Sequence, residues 1–143
     1  MKGDPIPDSD HVSRYCNPSR VQGGQPLAAA FDVRTGEDYL SVNWLEFFRL
    51  PNQAQALSEV RAAFRRKPFD IKATGRFAVL NVGEVRQAVK DAATIDLEVR
   101  EWPDEPSDPS HSGIWGYTAD DKMVSLTLRQ LVRPDNVYPG DVP

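Results

Sequence analysis

Histidine is the side chain that most readily accepts and releases a proton near neutral pH, and this chain has two, His11 and His111. Each lies in a polar stretch interrupted by glycine or proline, with no apolar stripe around it. Such a pair can serve as general base and general acid in phosphoester or phosphodiester chemistry. Arg14 follows His11 by three residues. If Asp8 or Ser9 caps a helical turn here, His11 and Arg14 share a face and the guanidinium fork is placed to hold a phosphate. His11 and His111 as catalytic groups, with Arg14 as anion holder, make a minimal phosphate-handling site.

Other polar groups sit among large apolar ones. In Ser41-Val-Asn-Trp-Leu-Glu46 the side chains of Asn43 and Glu46 either satisfy buried backbone or face a ligand. His111-Ser-Gly-Ile-Trp-Gly-Tyr117 combines two flexible glycines with Trp115 and Tyr117, a composition suited to a ligand loop or a partner surface, with Ser112 and Trp115 as candidate ligand contacts. Cys16 beside His111 would make a thiolate nucleophile. His11, Tyr39 and Glu46 resemble the His-Tyr-Glu trio of ADP-ribosyl transferases, without the motifs that separate them in that fold. His11-Val-Ser13 resembles one half of the paired signature of two-histidine phosphoesterases, but His111 is followed by Ser-Gly, so the other half is missing. No P-loop, dinucleotide fingerprint, HExxH helix, EF-hand loop or Cys/His ladder occurs, so neither a metal nor a cofactor is expected.

The elements that must position these groups follow from hydrophobic period. Ala56, Leu57, Val60, Ala63 and Phe64 form one helical stripe over 52–66; Val85, Ala88, Val89 and Ala92 form another over 83–93. Met123, Val124, Leu128, Leu131 and Val132 give a third helix over 119–132, ended by Pro134, with a capping-box spacing between Thr118 and Asp121. Arg76–Val82 is apolar on both alternating faces and reads as the centre of a sheet. Ile95, Leu97 and Val99 alternate with charged residues as a half-exposed strand. Leu27–Val33 and Tyr39–Asn43 read as a hairpin across a glycine turn. Trp44–Leu50 reads as a short buried helical segment. Residues 1–25 read as an ordered loop, Trp102–Pro109 as a solvated proline-rich loop, and 135–143 as a surface segment that frays. The expected architecture is one α+β (mixed α/β) domain spanning 1–143, a small sheet with helices packed on it.

At 143 residues, with 40% hydrophobic and 27% charged, the chain is long enough to bury a core without disulfides or metals. One cysteine and no apolar N-terminal run point to a reducing, cytoplasmic setting with no membrane association. The formal net charge of −4 argues against a nucleic-acid partner. Arg65-Arg66-Lys67 closes a helix, where cations complement the dipole. The words His11-Val-Ser-Arg-Tyr-Cys16, Ser41-Val-Asn-Trp-Leu-Glu46 and His111-Ser-Gly-Ile114 resemble those of small bacterial proteins of about this length, a group without an established activity; the resemblance implies a bacterial source and no residue roles. Two functions remain open. One is an interaction or regulatory module that meets a protein partner through Trp102, Trp115, Tyr117 and the acidic loop. The other is an enzyme or binding protein for a phosphate-containing ligand, a nucleotide or phosphodiester, using His11, His111 and Arg14.

Overall fold

A computed structural model describes residues 1–141. The strands are β1 (His11–Cys16), β2 (Val21–Gln22), β3 (Gln25–Pro26), β4 (Tyr39–Trp44), β5 (Arg76–Asn81), β6 (Glu98–Glu101), β7 (His111–Trp115) and β8 (Val137–Pro139). Six of them form an antiparallel sheet in the order β6-β7-β4-β1-β5-β8, and β2 and β3 pair separately. The helices are α1 (Gln53–Arg66), α2 (Val82–Ala93) and α3 (Lys122–Leu131). No helix among the described residues is long and apolar enough to cross a membrane.

Each helix forms where its stripe meets a face of the sheet. Val82, Val85 and Val89 of α2 and Val124 and Leu128 of α3 pack with Val12, Leu40, Val42, Ala78, Leu80, Val99 and Ile114 in the larger core. Ala56, Leu57, Val60 and Phe64 of α1 pack on Phe77 and Val79 from the other side. Asparagine side chains start two of these helices: Asn52 accepts from the Gln55 amide and Asn81 from the Glu84 amide, each satisfying a backbone donor that the first turn leaves open. β5 is therefore covered on both faces, as its sequence predicts. It lies beside the short edge strand β8, however, and the central strands are β4 and β1.

The N-terminal segment departs most from expectation. Residues 11–16 are a strand fully paired to β5, from His11↔Asn81 to Cys16↔Arg76, and neither a loop nor a helical turn. Strand geometry sends His11 and Arg14 to opposite faces, because side chains alternate with period two. Residues 111–115, expected as a loop, form β7 between β4 and β6. The expected hairpin of 27–33 with 39–43 does not form: Ala28–Phe31 is a 3₁₀ turn, and β4 pairs β1 and β7. An alanine run brings little of the β-branched bulk that favours strands. The 102–109 loop is less solvated than its composition suggests, because Asp108 is fully buried. The C-terminal segment is ordered as far as it is described, with β8 on β5; residues 142–143 of the expected frayed end lie outside the described residues.

Candidate functional site

β1 and β4 are paired only at Val12↔Trp44 and Ser13↔Asn43, although both continue beyond that point. The seam opens toward Cys16 and Tyr39, and Arg14 fills part of the gap. Its Nε–H donates to the Ala30 carbonyl (2.8 Å) and an Nη1–H to the Ser41 carbonyl (3.0 Å), an acceptor that an unbroken ladder would have given to β1 backbone. A cavity of about 180 Å³ occupies the wedge, against the ~10–15 Å³ that one water needs. Its walls come from both layers: Phe64, Lys67 and Phe69 on the α1 side, Ala30, Asp32 and Arg34 on the other.

The charges in the wedge are unbalanced at its base. Desolvation lowers the pKa of Arg14, and repulsion from Arg34 and Arg20 acts in the same direction, opposed by Cys16 and Tyr117. Both hydrogen-bond partners of Arg14 are neutral carbonyls. The nearby carboxylate of Asp32 is engaged elsewhere, accepting from Ser125 Oγ (2.5 Å) and Lys122 Nζ (3.1 Å). Ser13 also lines the cavity, and its Oγ is sealed from solvent and, among the described residues, is the buried side-chain polar atom with no hydrogen-bond partner. A desolvated cation without a counter-charge and a buried hydroxyl without a partner both cost free energy unless something else contacts them.

Across the wedge lies a polar row set by strand register, Ser13↔Asn43 and Asn43↔His111. Asn43 donates from Nδ2 to Asp108 Oδ1 (2.8 Å) and Ser110 Oγ (3.0 Å). Lys67 Nζ reaches the other Asp108 oxygen at 2.7 Å, so the buried carboxylate is paired and the 102–110 loop is tied to the end of α1. His111 is held from both sides. Its Nδ1–H donates to the Trp102 carbonyl (2.8 Å), since a carbonyl can only accept. In the neutral ring Nε2 is then the acceptor, and the Ser41 hydroxyl 3.0 Å away donates to it.

Of the residues singled out from sequence, the wedge brings together His111, Asn43, Arg14 and Cys16. His11 is elsewhere: its Nδ1 meets Glu46 Oε2 at 2.7 Å, its backbone N–H donates to Glu46 Oε1, and both residues line a separate shallow cavity near the start of α1. Ser112 points to the opposite face from His111 and donates to the Ser110 carbonyl inside the core. Trp115 stacks with Tyr39 at 4.5 Å between ring centroids and meets Trp102 edge-on at 5.1 Å, a half-buried aromatic group beside the site. Tyr39 therefore belongs with His111 and not with the His11–Glu46 pair. Tyr117 is buried on the far face, with its hydroxyl donating to the Phe31 carbonyl, and it is not a surface anchor. Burial pushes the Cys16 thiol up to about 11, against the attraction of Arg14, so it is no thiolate at neutral pH.

Sequence reasoning missed Ser13, Ser41, Lys67 and Asp108. For Ser41 the signal was present, since alternation in Tyr39–Asn43 puts it on one face with Asn43. No group of three or more His, Cys, Asp or Glu is gathered as a metal site among the described residues. Compared with known proteins, the chain matches no family model, no curated protein and no solved structure.

Proposed function

We propose that the protein binds a small phosphate-containing anion in the wedge between β1 and β4, with Arg14 as the charge that holds it. The observation that carries this reading is a desolvated guanidinium, lining a cavity, whose hydrogen bonds among the described residues go to neutral carbonyls. An anion there would supply the missing counter-charge; Arg20 and Arg34 line the same cavity and add to the field, against the carboxylates of Asp32 and Glu37. The cavity takes a phosphate and a few further atoms, with the rest of a nucleotide or sugar phosphate lying toward the mouth. We place the protein in the cytoplasm, on its single buried cysteine.

A second reading rests on Tyr39, Trp102 and Trp115, which sit half-buried on the sheet face that α1 leaves uncovered. It makes the protein an interaction module that meets a protein partner through those rings and has no ligand in the wedge.

Calorimetric titration with inorganic phosphate and with a nucleoside monophosphate separates the two. Saturable binding of either is expected. Arg14→Gln is expected to weaken it ~10- to 100-fold, the range for a charged hydrogen bond. Because Arg14 also satisfies two carbonyls, Arg34→Ala at the cavity wall is the companion variant, expected to fold normally and to bind less tightly. No binding by the folded wild-type protein would overturn the anion reading and leave the interaction module.

A further inference from the structure

We propose that Ser41 is a nucleophile activated by His111, and that the wedge hydrolyses acyl esters carrying a phosphate or carboxylate charge. The anionic class of substrate rests on the binding reading above; the nucleophile rests on separate geometry. Ser41 Oγ, His111 Nε2, His111 Nδ1 and the Trp102 carbonyl form one hydrogen-bonded chain, 3.0 Å then 2.8 Å, in the order nucleophile, base, orienting acceptor. A backbone carbonyl in third place sets the tautomer, because it accepts the Nδ1 proton and leaves Nε2 free to take one. Ser41 and His111 both line the wedge, and neither is fully buried, so a substrate can reach the hydroxyl.

The remaining requirement is a donor for the oxygen that becomes negative during attack. Ser13 shares the sheet face of Ser41, sits on the neighbouring strand and brings the unpartnered buried hydroxyl. Asn43 and Lys67 are less available, since both are bonded to Asp108. Ser13 is therefore the donor in this proposal, once the bound substrate uncovers its hydroxyl, and Asn43 a positioning residue that holds the 108–110 turn ahead of His111.

The reaction balances with water as the only co-reactant. Ser41 Oγ bonds to the ester carbonyl carbon while its proton passes to His111 Nε2. The C–O bond to the alcohol then breaks, and the same proton leaves with the alkoxide as an alcohol. Water attacks the acyl-serine, gives its proton to Nε2, and the acid departs as Ser41 regains its hydrogen. The net change is ester plus water to acid plus alcohol, with no oxidation or reduction.

The test uses the whole protein and an uncharged dialkyl fluorophosphonate, which reports on the nucleophile without needing the anion site. One phosphonyl adduct is expected by intact mass, mapped to Ser41 by peptide sequencing and absent from Ser41→Ala. His111→Asn keeps a side-chain donor for the Trp102 carbonyl but removes the base. It is expected to label ~100-fold more slowly or worse, while its thermal unfolding stays cooperative. A folded wild-type protein that gains no adduct, or labels at Ser41 at the same rate with and without His111, overturns the nucleophile. Phosphate binding retained by Ser41→Ala would show that the anion site stands independently of that result.

Discussion

Cys16 and Arg14 lie two residues apart on one face of β1 and meet the same low-dielectric surroundings with opposite consequences. Desolvation disfavours the charged form of each, so it lowers the pKa of Arg14 and raises that of Cys16 to about 11. The thiol has a definite effect on stability. An unfolded chain loses this proton near pH 9, whereas the folded chain holds it to about 11. Between those values the native state binds more protons than the unfolded state. The contribution is thus intact below pH 9 and is lost as pH rises through the window, at about 1 kcal/mol per pH unit. Urea midpoints at pH 8 and pH 10.5 are expected to fall further for wild type than for Cys16→Ala. Burial also raises the pKa of Tyr117, but that group is present in both proteins and cancels. Parallel declines would remove Cys16 from the account. The same burial predicts that a disulfide reagent labels Cys16 far more slowly in buffer than in denaturant.

At the scale of elements, β7 shows why part of the fold was legible and part was not. The helices announced themselves because Leu57, Val60 and Phe64, or Val85 and Val89, recur at helical spacing and have nothing to do but cover a sheet. His11–Cys16 and His111–Trp115 carry serines, histidines and a glycine where a strand reader looks for apolar alternation. Among them Ser13 and His111 line the wedge, so some of the residues that make the site are the ones that disguise the strands. Ser41 and Asn43 could be placed on one face from sequence. Their meeting with His111 depends on the pairing of strands about seventy residues apart, which no local pattern carries. Gly113 gives this arrangement its check. A Cβ there would lie 2.5 Å from Tyr39 and 2.7 Å from Trp115, so the glycine lets both rings rest on the β7 backbone beside His111. Gly113→Val is expected to cost about 1–3 kcal/mol and to shift tryptophan emission as the Tyr39–Trp115 stack is displaced. Unchanged emission with unchanged stability would mean that the rings do not sit there.

Over the whole molecule, the sheet separates two unequal layers, and the wedge is the place where both reach one cavity. The α2 and α3 side buries the larger core. The α1 side rests on a smaller cluster around Phe64, Phe77 and Val79, on Arg61 bonding the Pro139 and Gly140 carbonyls, and on Lys67 bonding Asp108. A layer with less buried apolar area opens at lower free energy, so α1 amides are expected to exchange with deuterium faster than those of α2 and α3. Phe64, Lys67 and Phe69 form one wall of the cavity, while Ala30 and Arg34, from the other side, form the opposite one. The anion proposed for the wedge would bridge these walls and so bind only while α1 is docked. At a concentration about 100 times its Kd it stabilises the docked state by ~2.7 kcal/mol, enough to slow α1 exchange about a hundredfold where opening of that layer exposes the amides. Phosphate that protects residues 28–34 and leaves α1 unchanged would place the anion on one wall alone. Protection of both segments together would show the wedge coupling the weaker layer to the stronger, so that occupancy of the site is felt as stability across the sheet.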